Sequence, residues 1–288
     1  MVVVEILVGK EKKNLYMDNE LHKRIETVVK PKVKSKDSDW FWVVDGSEGA
    51  GKSVFAFQLA KILDPDFNIN KVTMTPNEFT RAVIKANKGD CIVFDEAFTG
   101  LSSRASLTEI NRVIVSLMME MRQKNLFIII VMPTIFLLDR YVALFRARGL
   151  FHIYLKNGKR GRWIYFNNKK KKLLYILGKK LFSYSKPKSK FRGRFLDTYT
   201  VNEEEYREKK KKALMEKSRS TKAETFKFQR DNLFYILNKK LKINKTNISK
   251  HCEGLGFKID RSTISKIIME KEIEMIKKEE LLAKEVNK

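Results

Sequence analysis

A chain of 288 residues, 43% of them apolar, has room for one large domain or two modest ones and enough apolar material for a real core, so it reads as globular. The net charge of +26 is uneven: residues 1–150 hold 22 Lys+Arg against 18 Asp+Glu, and residues 151–288 hold 38 against 16, which points to a polyanionic partner for the second half. No stretch reaches the roughly 18 uncharged apolar residues of a membrane span, and the start, with an acid inside its apolar run and basic residues after it, is unlike a secretory leader, so a cytoplasmic address is expected.

In chain order, Val2 to Leu7 reads as a short strand and Asn19 to Val29 as a helix. "DWFWVVD" (Asp39 to Asp45), aromatic and β-branched, reads as a buried strand, and "SVFAFQLAKIL" after it has helical spacing. "KVTMTPNEFTRAVIKANKGD" predicts a strand, a Pro-started helix over Pro76 to Ala86 and a turn. "CIVFDEAF" and "NLFIIIVMP" are further buried strands, separated by a helical pattern from Leu107 to Gln123. Buried runs alternating with helices predict an α/β fold with a mainly parallel sheet covered on both faces. Asn157-Gly158, between two aromatic β-rich runs, predicts a β-hairpin.

Residues 168–230, with "NKKKKLL", "SYSKPKSKFRGR" and "NEEEYREKKKKALMEKSRSTKAE", are charge-dense and weak in apolar periodicity, and read as a basic linker, partly helical. The expected organisation is an α/β domain with N-terminal extension and hairpin over 1–167, the linker over 168–230, and a small all-α domain over 231–288. Cys91 and Cys252, far apart and without a CxxC or histidine neighbour, read as buried thiols rather than metal ligands. His22, His152 and His251 are isolated, and none is read as catalytic.

The chemistry concentrates in two places. Gly46-Ser47-Glu48-Gly49-Ala50-Gly51-Lys52-Ser53, between a predicted strand and a predicted helix, fits G-x-x-x-x-G-K-S/T in full. Glycines let backbone N–H groups turn onto phosphates, the helix N-terminus adds its positive end, Lys52 reaches the β/γ oxygens of ATP, and the Ser53 hydroxyl ligates Mg²⁺. The second place is Asp95, ending a buried strand, followed at once by Glu96. An aspartate there holds Mg²⁺ through water, and the adjacent glutamate is placed to polarise an attacking water, which hydrolysis needs and nucleotide kinases do not.

With "FDEAFTGLSSR", "MEMRQKNLFIIIVMPT" and "LDRYVALFRARGLFHIY", residues 40–155 resemble the additional-strand, catalytic-glutamate P-loop ATPases, and within them the HerA/FtsK-type DNA-pumping ATPases and zonula-occludens-toxin-like packaging relatives. The resemblance implies that "NLFIIIVMP" lies between the P-loop strand and the Asp95 strand, with Thr134 as the polar residue offered to the γ-phosphate. It also implies a homo-oligomeric ring in which a neighbour's arginine completes the site. Arg104, Arg122, Arg140, Arg146 and Arg148 are candidates, with Arg146 and Arg148 favoured.

The C-terminal segment resembles a helix-turn-helix DNA-binding domain: a helix over Asn232 to Lys240, a second from Thr246, a turn at Glu253 to Phe257, and a third over Arg261 to Glu270. Ile264, Ile267 and Ile268 would face a core, leaving Arg261, Ser262, Thr263, Ser265 and Lys266 to meet a major groove. Lys186, Lys188, Lys190, Arg192 and Arg194 are expected to supply phosphate contacts. The combined reading is a Mg²⁺-dependent, oligomeric ATPase acting on DNA as a translocase or packaging motor of a virus or mobile element. The alternative is an ATP-switched replication-initiation or regulatory protein that binds DNA without moving along it.

Overall fold

The computed structural model describes residues 2–9, 11–35, 38–95, 111–219 and 222–286, and the chain divides into two compact units, Met1–Leu214 and Met215–Lys288. The first begins with an antiparallel hairpin, β1 (Val2–Val8) and β2 (Glu11–Met17). The helix α1 follows, made of Asn19–Arg24, a π-helical stretch Ile25–Val29 and Lys30–Ser35. Asp18 starts it by accepting the Leu21 N–H at 3.1 Å, a capping bond that satisfies one of the helix's orphan donors.

From β3 (Trp40–Gly46) onward the chain winds one sheet: helix α2 (Lys52–Leu63), β4 (Val72–Thr73), helix α3 (Pro76–Lys85), β5 (Cys91–Asp95), helix α4 (Met118–Gln123), β6 (Phe127–Val131), β7 (Gly149–Lys156), β8 (Lys159–Asn167), helix α5 (Asn168–Gly178) and β9 (Phe191–Arg194). The seven strands lie in the order β4-β5-β6-β3-β7-β8-β9. The first five pair in parallel, and β7, β8 and β9 pair antiparallel. The expected hairpin at Asn157-Gly158 is the β7–β8 turn.

Side chains alternate across a strand, and here both faces are buried. Trp42, Val44, Val93, Ile129 and Val131 pack on one side with α2, α1 and the first hairpin. Phe41, Val43, Phe94, Ile128 and Ile130 pack on the other with α3, α4 and α5. This double covering is why β3, β5 and β6 are unbroken apolar runs rather than alternating ones. Thr75 caps α3 by accepting the Glu78 N–H at 3.2 Å, with Pro76 at the first helical position.

The structure corrects the expectation of a linker beginning at residue 168. Residues 168–214 belong to the first unit: α5 packs Leu174 and Tyr175 against the sheet, β9 extends it, and Phe195, Val201, Tyr206 and Ala213 are buried in the α2-side core. The last two lie on helix α6 (Glu203–Arg219). Within "NKKKKLL", Lys171 is fully buried and donates to the carbonyl oxygens of Ala143, Leu144 and Ala147 at the end of the π-helical turn Val142–Arg146. Burial, with help from Lys172 and Arg148, pushes its pKa down to about 7. In the unfolded chain a lysine keeps its proton to about pH 10.4. Between those values the unfolded state binds more protons, so stability should rise with pH from 7 towards 10, by up to about 1.4 kcal/mol per unit. Urea unfolding across that range checks this, and Lys171→Met should flatten the rise.

The second unit is helical: α7 (Lys222–Tyr235) runs into a π-helical stretch Ile236–Lys240, followed by α8 (Lys245–Gly254) and α9 (Arg261–Val286). Its core is Phe234, Ile248, Ile264, Ile267 and Ile268. On α9, Arg261, Ser262, Thr263 and Lys266 are exposed and Ser265 is half-buried. Asp260 accepts the Ile264 N–H through its carbonyl, and the helix continues well beyond Glu270, the end that apolar periodicity indicated.

Candidate nucleotide site

Ligands of open α/β sheets sit beyond the carboxyl ends of the strands, and here that edge carries the two sequence motifs. β6 lies between β3 and β5, so Gly46, Asp95 and the exit of β6 stand side by side. Gly46 has φ +139°, and a Cβ on it would lie 2.0 Å from the Ile153 carbonyl oxygen of β7, so the chain can leave β3 in this direction only at glycine. Gly51, left-handed at φ +95°, then starts α2. Among the described residues, the amides of Glu48, Gly49 and Gly51 donate to nothing in the chain, while Ala50, buried, donates to Ser47 O at 3.3 Å. Free N–H groups over a helix N-terminus form an anion cradle.

Lys52 folds back over this turn and donates to Gly46 O at 2.9 Å and Ser47 O at 2.8 Å. Burial lowers its pKa, while Asp95, Asp45 and Glu48 oppose the shift. Asp95 is buried and accepts the Tyr206 hydroxyl at 2.6 Å, and the Ser53 side chain is near enough to that hydroxyl to pull its pKa down slightly. Burial, then the Asp95 charge, drives the Tyr206 pKa well up, so it stays a donor. The oxygens of Ser53 and Asp95 thus converge on one small group. That arrangement fits Mg²⁺, which takes few protein ligands and completes its shell with phosphate and water.

A cavity of about 660 Å³ opens over these residues, lined by Lys52, Ser53, Asp95, Arg160, Tyr206 and Lys210 among others. A larger one, about 1460 Å³, lies by the β1–β2 turn; it contains no P-loop residue and is lined by Glu203, Glu204 and Glu205, a poor lining for a polyanion.

A second buried carboxylate, Asp45, faces the opposite side of the sheet. It accepts the Ile135 N–H at 2.8 Å, lies 2.8 Å from His152 Nδ1, and takes a short hydrogen bond from the Tyr184 hydroxyl. Tyr184 stacks on His152 and shares a 2.7 Å hydrogen bond with Thr134 Oγ1. Burial and the Asp45 charge hold the Tyr184 pKa high. This network pins the exit of β6 to the end of β3. It also draws Thr134 away from the cavity, to which the β6 exit offers Met132 and Pro133 instead.

Glu96 and Arg104 lie outside the described residues. Arg146 is ion-paired with Asp39, just before β3 and at the far end of that strand from Gly46. Arg148 is exposed near the same end, its N–H donating to Phe41 O at 2.8 Å. Neither reaches the cavity of its own chain. Lys186, Lys188, Lys190, Arg192 and Arg194 are all exposed, the last two on β9 at the sheet edge, opposite Ile164 and Arg162 of β8. Arg160, Tyr206 and Lys210 were not singled out by the sequence. The first sits in the "KNGKRGR" hairpin; the others lie about 150 residues from the P-loop, and nothing local marks them.

No family model matches the chain, and no curated protein matches it in sequence. Among solved structures, the N-terminal domain of zonular occludens toxin from Neisseria meningitidis is similar over 45% of this chain and 84% of that one, at 16% identity and a TM-score of 0.29. A likeness at that level carries no argument; what stands is a mixed α/β unit with a large, mostly parallel sheet, compatible with a P-loop NTPase-like fold.

Proposed function

We propose that the chain is a Mg²⁺-dependent P-loop ATPase that acts on DNA. The observation that carries this is the convergence of Lys52, Ser53 and Asp95 on one cavity beside the Glu48, Gly49 and Gly51 amides, which donate to nothing in the chain. Lys52 exchanges two neutral carbonyl acceptors for phosphate oxygens, and the amides of Glu48, Gly49 and Gly51 bind the same anion. Ser53 and Asp95 are the residues that would hold Mg²⁺, which when bound neutralises charge on the phosphates. Glu96, next after Asp95, takes the role of general base towards water.

Action on DNA rests on charge and exposure. The basic excess lies mainly in residues 151–230, and Lys186, Lys188, Lys190, Arg192 and Arg194 present theirs to solvent. The face of α9 that carries the exposed Arg261, Ser262, Thr263 and Lys266 and the half-buried Ser265 is proposed to read sequence in the manner of a helix-turn-helix. Assembly into a ring would bring in a neighbour's arginine, and because Arg146 is committed to Asp39, that role falls to Arg148.

ATP hydrolysis measured with and without single- and double-stranded DNA tests the reading. DNA-stimulated turnover with directional movement supports a motor; slow turnover with nucleotide-dependent DNA binding supports a switch; no effect of DNA removes DNA from the proposal. Fluorescence anisotropy across a salt series separates the two basic surfaces. Neutralising the five residues from Lys186 to Arg194 should weaken binding to every sequence alike and lower the salt slope, whereas Arg261→Ala with Lys266→Ala should relax sequence preference.

A further inference from the structure

The P-loop and α6 both line the cavity. Tyr206 and Lys210 are four residues apart, so they share one face of the helix. The Lys210 ammonium donates to the Tyr206 hydroxyl at 3.4 Å and stands 5.7 Å above the centre of its ring. It is close enough to Lys52 for its charge to depress the Lys52 pKa. The two lysines share a partly buried space in which the charges of Asp95, Asp45 and Glu48 act on Lys52 more strongly than that of Lys210, and Asp95 accepts a hydrogen bond from Tyr206.

Of the other cations on α6, Lys211 and Lys212 are exposed, whereas two reach partners. Arg207 pairs with Glu203, and Lys209 donates to Val72 O and lies 3.8 Å from Glu78. Among the described residues Lys210 has no carboxylate partner. A part-buried lysine without a carboxylate partner, on a cavity that the P-loop also lines, offers its charge to a polyanion bound there.

We propose that Lys210 is a second phosphate-binding residue of this site, gripping the triphosphate from α6, with Tyr206 as the residue that positions it. This rests on the nucleotide reading above. It makes the site a joint product of residues 46–53 and of a helix about 150 residues later.

The test uses the full chain with Mg²⁺ and the fluorescent nucleotide mant-ATP, comparing wild type, Lys52→Ala, Lys210→Ala, Lys210→Arg and the exposed neighbour Lys211→Ala. Removing one charge-assisted hydrogen bond to phosphate should weaken binding by about 10- to 100-fold in Lys210→Ala. Lys210→Arg should recover most of it, and Lys211→Ala should match wild type. Without nucleotide, Lys210→Ala should melt close to the wild-type temperature, since it loses only a long hydrogen bond and a ring contact; with ATP its gain in Tm should shrink. A merely structural lysine would instead lower the nucleotide-free Tm. If Lys210→Ala binds mant-ATP like wild type while Lys52→Ala does not, the inference is overturned and the nucleotide site stands. If wild type fails to bind, or Lys52→Ala binds equally well, both fall together.

Discussion

Glu96→Gln is expected to bind ATP within about threefold of the parent while its turnover falls by about 10²- to 10⁴-fold, the usual worth of a positioned general base. Lys52→Ala is expected to fail earlier, at binding. The difference follows from where each group acts. Lys52 emerges from the first turn of α2 into the cavity and already donates to two oxygens of the turn, so its loss removes charge from every phosphate state. Glu96 comes next after the last residue of β5, and the role proposed for it bears only on water. Filter binding of labelled ATP, run beside phosphate release on the same preparations, separates the two effects. Parental turnover in Glu96→Gln would remove that residue from the mechanism.

Gly46→Ala should be the most damaging single-atom change in the first unit. The added Cβ would meet the Ile153 carbonyl oxygen at 2.0 Å, and φ is +139°, so neither neighbour nor backbone can give cheaply. A loss of at least about 3 kcal/mol is expected, roughly 6–12 °C in Tm for a unit of this size. Gly49→Ala provides the contrast. Its φ of +71° is also positive, yet the nearest atom is the flexible Arg160 Nη2 at 3.8 Å, so only the left-handed backbone cost of about 1–2 kcal/mol applies. Thermal melts of both variants decide this. Equal shifts would mean that β7 does not press against the turn as described.

The elements legible in the sequence are those whose signal is local. β3, β5 and β6 stand out because burial on both faces removes polar residues from the strand, and the P-loop because its glycines answer to backbone geometry. Residues 168–214 were unreadable for the opposite reason. Their burial is carried by sparse anchors, Leu174, Phe195, Val201, Tyr206 and Ala213, set among lysines and glutamates that are solvated. One lysine, Lys171, is buried by donating to main-chain carbonyls, which composition cannot reveal. The second strand of the first hairpin, "EKKNLYM", escaped for a similar reason, since only Leu15 and Met17 are buried in it. At the site, Lys52, Ser53 and Asp95 were marked by motif. Tyr206 and Lys210 reach it only through the tertiary fold. The expected role of Thr134 ignored that a hydroxyl can be claimed by a buried neighbour, here Tyr184 beside Asp45.

The central claim, that this cavity hydrolyses ATP, is tested most directly by the rate of inorganic phosphate release from Mg²⁺-ATP by the purified full chain, measured beside Lys52→Ala purified in the same way. The account predicts release that disappears with EDTA and is absent from the Lys52→Ala protein. Release of equal rate from both proteins, or none from the wild type at any DNA or protein concentration, would contradict it.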